Sequence, residues 1–109
     1  MIRPGASFKD NLQALPPIDG LARIELKTAT GELIASIANE PGKQGSLAVY
    51  QYLHQQFGRL DRAAAQHGLE IFAEHTADAR NRPGAHPNID RLFAVLSEGP
   101  GLEIELIRA

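Results

Sequence analysis

The chain has 109 residues, which suits one domain. Hydrophobic residues make up 43% and aromatics only 6%, so the core must be built mainly from Leu, Ile, Val and Ala. Net charge is -2, from 11 basic and 13 acidic residues with the signs interspersed; no basic field of the kind a nucleic-acid binder presents is visible, and no nucleic-acid partner is expected. Cysteine is absent, which excludes disulfides, thiolate metal sites and a cysteine nucleophile. No apolar run approaches the roughly 20 residues that span a bilayer. The start, Met1-Ile2-Arg3-Pro4-Gly5, has no apolar stretch of the secretory kind. A soluble, cytoplasmic protein without a membrane partner is expected.

Residues 1–6 are expected to be flexible, and 7–108 to form a single domain. Ser7 and Asp10 have capping-box spacing, with Asp in place of the usual Glu, and predict a short helix from Phe8 to Leu15 that Pro16-Pro17 stops. Leu21 to Thr28 alternates, with Ala22, Ile24 and Leu26 on one face and Arg23, Glu25 and Lys27 on the other. That period is a half-buried strand. Leu33 to Ala38 is a second, with Leu33, Ala35 and Ile37 inward. The link Ala29-Thr30-Gly31 places glycine where a hairpin needs a left-handed residue.

Ser46 to Phe57 has helical spacing at Leu47, Tyr50, Leu53, His54 and Phe57, with Ser46 as its expected cap and Gly58 as its stop. Asp61 caps a further helix, Arg62 to His67, which Gly68 ends or kinks. His67 would then lie in a last turn, where a protonated ring complements the helix dipole. Leu69 to Arg80 continues in helical period until Asn81-Arg82-Pro83-Gly84 breaks it. Pro87 suits the first turn of another helix, with Ile89, Leu92, Phe93 and Leu96 inward and Gly99-Pro100-Gly101 as its end. Leu102 to Arg108 alternates again. Its outer face is acidic, whereas that of the first strand is mostly basic, so the two are expected side by side. The fold expected is α+β: an N-terminal helix, a hairpin, three to four helices on one sheet face, and a closing strand completing a three-stranded sheet of order 2-1-3.

The loop Asn39 to Ser46 combines two glycines, a lysine and a helix start. Free N–H groups there point at a ligand and the helix dipole favours negative charge. Gly42 and Gly45 allow close backbone approach or an anion-binding nest, Lys43 adds a mobile charge, and Gln44 and Ser46 complete the candidate site. The string is not a Walker A motif. Its bland alternative is an ordinary strand-to-helix turn. Secondary candidates are Glu74, His75 and Asp78 with His86, which would need the loop to fold back to make an acid–base or metal-ligand set. Glu70, Glu74 and Asp78 share one helix stripe by spacing, and a solvated acidic face is the simpler account. Tyr50 and His54, four residues apart, either line a pocket near the loop or belong to the core boundary.

Four strings, Ser7-Phe8-Lys9-Asp10-Asn11-Leu12, Pro41-Gly42-Lys43-Gln44-Gly45-Ser46-Leu47-Ala48-Val49-Tyr50, Gly68-Leu69-Glu70-Ile71-Phe72-Ala73-Glu74-His75-Thr76 and His86-Pro87-Asn88-Ile89-Asp90-Arg91-Leu92, occur in this order. Together they resemble a family of small uncharacterised bacterial proteins, domain of unknown function 2322, over most of the chain. The resemblance implies a bacterial, single-domain protein and carries no activity, cofactor or catalytic residue. The leading functional expectation is a non-enzymatic module binding a small anion, phosphate or carboxylate, at the 39–46 loop, with no cofactor, no catalytic residue and no metal assigned. The alternatives are a structural or interaction domain that self-associates as a homo-oligomer, and a small enzyme or metal protein using His75, Asp78 and His86.

Overall fold

The computed structural model describes residues 1–109, the side chain of Glu98 excepted. Its elements in chain order are α1 (Phe8–Gln13), β1 (Leu21–Lys27), β2 (Leu33–Ala38), α2 (Gln44–Phe57), α3 (Arg62–Phe72), α4 (Glu74–Asn81), α5 (Pro87–Glu98) and β3 (Glu103–Arg108). Ser7 Oγ accepts from Asp10 N at 3.3 Å and caps α1 as its spacing predicts. The helix ends at Gln13 rather than Leu15. The amides of Ala14 and Leu15 reach back only three residues, to Asn11 O and Leu12 O, as the chain tightens before Pro16. Asn11 is buried and fully used: Nδ2 donates to Ile71 O at 2.9 Å and to Gly5 O at 3.2 Å, and Oδ1 accepts from Gly5 N at 2.8 Å. It ties α1 to α3 and to the segment before it.

The three strands form an antiparallel sheet of order β2-β1-β3. Charge pattern accounts for the β1–β3 pairing. Glu25 lies opposite Glu105, a like-charge pair, but Lys27 Nζ is 2.6 Å from Glu105 and 3.6 Å from Glu25, and Arg23 Nε is 2.9 Å from Glu25. The Arg23 hydrogen bond holds the Glu25 carboxyl below its usual range, and the Glu105 hydrogen bond lifts the Lys27 ammonium above its own. Solvated pairs of this kind contribute little stability, so their role is in register and partner choice.

Two strand positions depart from simple alternation. Leu33 is not inward: it lies opposite Lys27, the register slips between Leu26 and Lys27, and Ile34 becomes the extra residue of a bulge. Leu33 and Ile34 are consequently 54% and 48% exposed. At the other end a slip between Leu21 and Arg23 lets Leu21 be buried while Ala22 is only half-buried.

Helix α2 packs on all three strands and also touches α1 and α3. Five consecutive residues, Val49 to Leu53, are buried, more than one face of a helix can hold. It is a central rod rather than a surface helix, and even Gln51 is buried, its Nε2 donating to Pro17 O at 3.0 Å. α3 runs straight through Gly68 instead of ending or kinking there. A Cβ on Gly68 would lie 2.9 Å from Leu92 Cδ1 and 3.0 Å from Leu53 Cδ1, so the missing side chain is what lets α2, α3 and α5 meet. His67 is therefore mid-helix, with Nε2 2.9 Å from Tyr52 Oη, and not at a helix end.

The break falls at Ala73, with φ 53° and ψ -118°. A left-handed φ at a residue bearing a Cβ is strained, typically by ~1–3 kcal/mol, and the surrounding bonds hold it. Ala73 N donates to Glu70 O, Thr76 N donates to Ala73 O, and the buried Thr76 Oγ1 donates to Leu69 O at 2.6 Å. The corner also takes Glu70 off the stripe carrying Glu74 and Asp78, so the expected acidic row of three does not exist. Replacing Ala73 by Val, which tolerates this φ worst, is expected to lower stability by about 1–3 kcal/mol, whereas Ala73→Gly does not destabilise. Denaturant melts of the two variants check the ordering, and a Val variant as stable as wild type would remove the strain argument.

Candidate functional site

The start of α2 is set by a turn. Lys43 N donates to Glu40 O at 3.0 Å, and Gly42 between them has φ 86°, a conformation that needs glycine. Asn39 anchors the loop, its N and Nδ2 donating to Ala22 O and Leu21 O, and its Oδ1 receives Gln44 Nε2 at 2.9 Å. This turn brings the chain into helix earlier than Ser46. The helix begins at Gln44, its capping residue is Lys43, and no side chain caps it. Ser46 is the third helical residue, which corrects its expected capping role. Leu47 N makes the first helical bond, to Lys43 O. The amides of Gln44, Gly45 and Ser46 have no acceptor among the described residues, as helix geometry dictates where no cap is supplied.

These residues open into a cavity of about 720 Å³. Gly42, Lys43, Gln44, Gly45 and Ser46 all line it, and so do His75 and His86. Two sets of residues far apart in sequence thus face one space. The rest of the lining is mostly apolar, with Phe8 and Leu12 of α1, Phe72 of α3 and Ile89 of α5, and it includes Asn88. Gly45 also has a packing role. A Cβ there would lie 3.2 Å from the Phe8 ring, so its missing side chain lets Phe8 pack against α2.

His75 and His86 are 5.8 Å apart, ring centre to ring centre, and Phe8 meets His75 edge-on at 5.2 Å. His86 Nε2 lies 2.6 Å from Asp78 Oδ2. An ionised carboxylate only accepts, so Nε2 carries the hydrogen and Nδ1 is the nitrogen left for a ligand. Arg82 holds the same carboxylate, its Nε donating to Oδ1 at 2.9 Å and its second nitrogen paired with Oδ2. The Arg82 and His86 hydrogen bonds keep the Asp78 carboxyl far below its usual range.

The other expected site residues are elsewhere. Glu74 does not join the cavity: its Oε1 accepts from Phe8 N at 2.7 Å, so it serves the start of α1, and that bond lowers its carboxyl pKa. Tyr50 is wholly buried. Its hydroxyl donates to Asn88 O at 2.6 Å and accepts from Arg91 Nη1 at 3.2 Å, and burial pushes its pKa up to about 12 against the opposing Arg91 charge. It supports the cavity from behind, through Asn88, without facing it. His54 does not line the cavity, and its buried Nδ1 has no hydrogen-bond partner among the described residues. No group of three or more His, Asp or Glu side chains is placed to hold a metal ion among the described residues. Sequence reading missed Phe8, Leu12, Phe72 and Ile89. Each carried only a core signal, and nothing local shows that a core stripe runs out into a cavity.

Because the folded Asp78 carboxyl titrates below its unfolded value near 3.9, its contribution is complete above that pH and is lost as pH falls through the folded value. Glu74 shifts in the same direction. Melting temperature is expected to drop below about pH 4, less steeply in Asp78→Asn than in wild type. Parallel melting curves across pH 2–5 for the two proteins would refute the linkage.

No helix among the described residues is long and apolar enough to cross a membrane. No curated protein and no solved structure matches the chain. Residues 8–106 match a family described as an uncharacterised protein conserved in bacteria. That span takes in every residue lining the cavity, β1, β2 and most of β3, and the chain belongs to this family, DUF2322.

Proposed function

We propose that this protein is a non-enzymatic binding module for a small anionic ligand, bearing a phosphate or a carboxylate, in the cavity at the start of α2. The observation that carries the reading is that Gln44, Gly45 and Ser46, whose amides have no acceptor among the described residues, line one cavity together with His75 and His86. Charge supports it. The lining includes Lys43 and two histidines, and no Asp or Glu among the described residues. Asp78, behind His86, is already matched by Arg82. Lys43 Nζ is 3.8 Å from Glu40 with both side chains 57% exposed, a loose pair that an anion can displace.

Millimolar phosphate or sulfate is expected to raise the melting temperature, since a ligand that binds only the folded state stabilises it by mass action. Lys43→Ala is expected to weaken the binding about two- to fivefold, in line with one half-exposed charge, and raised salt to weaken it in wild type. Absence of any anion shift, or a shift indifferent to Lys43→Ala, counts against the site.

A second reading, a self-associating structural domain, is favoured by the β2 edge. Leu33 and Ile34 are exposed side by side there, and Leu33 to Ala38 carries no charge, whereas the opposite edge strand bears Glu103, Glu105 and Arg108. Uncharged open edges pair readily with further strands. Sedimentation should then give a dimer that Ile34→Lys dissociates. A monomer at all concentrations would exclude it.

A further inference from the structure

The cavity is much larger than an inorganic anion needs. At about 720 Å³ it is on the scale of pockets for organic ligands, ~300–1,000 Å³. A phosphate ion is no bigger than a few waters of about 30 Å³ each and would leave most of that space wet. One wall is also continuous in a way an ion does not use. Phe72 and Phe8 have ring centres 5.1 Å apart and tilted by 30°, Phe8 meets His75 at 5.2 Å, and His75 meets His86 at 5.8 Å. These four rings, from α1, α3, α4 and the residue before α5, touch in succession and all line the cavity, as do Lys43 and Ser46. An apolar surface of this kind gains from covering by another flat apolar group, and ring-on-ring packing adds to the gain.

We propose that the cavity takes an organic anion, its acidic head at the start of α2 and its flat apolar body along the wall made by Phe8, Phe72, His75 and His86. The inference rests on the anion-binding reading and narrows it to a class: an aromatic or compact apolar acid or phosphate ester. Phe8 and Leu12 then select for the body, and the α2 amides with Lys43 select for the head.

Calorimetric titration of the whole protein with inorganic phosphate, phenyl phosphate and benzyl alcohol separates the two ideas. Phenyl phosphate is expected to bind about tenfold or more tightly than phosphate. Phe8→Ala should erase most of that advantage, weakening phenyl phosphate far more than phosphate. Leu12→Ala provides the same comparison at a second wall position should Phe8→Ala fail to melt cooperatively. Equal binding of phosphate and phenyl phosphate overturns the aromatic inference and leaves the anion site standing. Benzyl alcohol binding as tightly as phenyl phosphate overturns the anion reading, and the inference as stated with it. Binding of none of the three overturns both, and equal losses for both phosphates in Phe8→Ala and Leu12→Ala overturn the role given to the wall.

Discussion

The burial of the middle of α2 on every side is the constraint from which the rest of the structure follows. A helix with Val49 to Leu53 all buried cannot lie on a surface, and here the sheet takes one side while α1 and α3 take others. The amides of Gln44 to Ser46 belong to the first turn of a helix that Leu47 and Val49 to Leu53 anchor in the core. Unpaired N–H groups and the helix dipole are what let a helix start hold an anion.

Around that rod the cavity is made by two departures from regularity. Gly68 lets α3 come close enough to α2 and α5 for Leu53 and Leu92 to meet across it. Ala73 then turns the chain so that Phe72, at the end of α3, and His75, at the start of α4, face the same space. The far wall is held by a relay of hydrogen bonds. Tyr50, fixed in the rod, binds Asn88 O, Arg91 binds Asn88 Oδ1, and Asp78 binds His86. A strained backbone held in place by satisfied neighbours is the usual condition for keeping side chains at a defined separation. All of these bonds end on Asn88 or His86, two residues that line the cavity.

Much of the architecture was legible because it rests on local periodicity. The alternation in β1 and β3, the complementary charges of Lys27 and Glu105, and the Ser7 cap each carry their own signal, and the sheet order follows from them. What failed to be legible depended on contacts distant in sequence. Gly68 reads as a breaker until Leu53 and Leu92 are seen to need its missing side chain. Ala73, the real corner, has no turn residue to announce it. Ser46 reads as a cap because the Glu40–Lys43 turn, which starts the helix sooner, is a matter of Gly42 φ and not of composition. The two candidate groups, 42–46 and His75 with His86, were visible separately, and their meeting was not. No spacing rule links positions thirty residues apart on opposite sides of a cavity.

The difference between a binding site and a reactive one turns on the same histidine. The Asp78–His86 pair has the form that orients an imidazole for proton transfer. Yet Arg82 also engages Asp78, so the carboxylate is shared between two donors and is not dedicated to the imidazole. What the shared arrangement does well is hold the ring still and cancel the negative charge behind it. Among the described residues the cavity lining carries Lys43 and two imidazoles and no carboxylate, and the Asp78 carboxylate behind His86 is matched by Arg82. Arg82 thus sets the charge behind the cavity without being among the residues that line it.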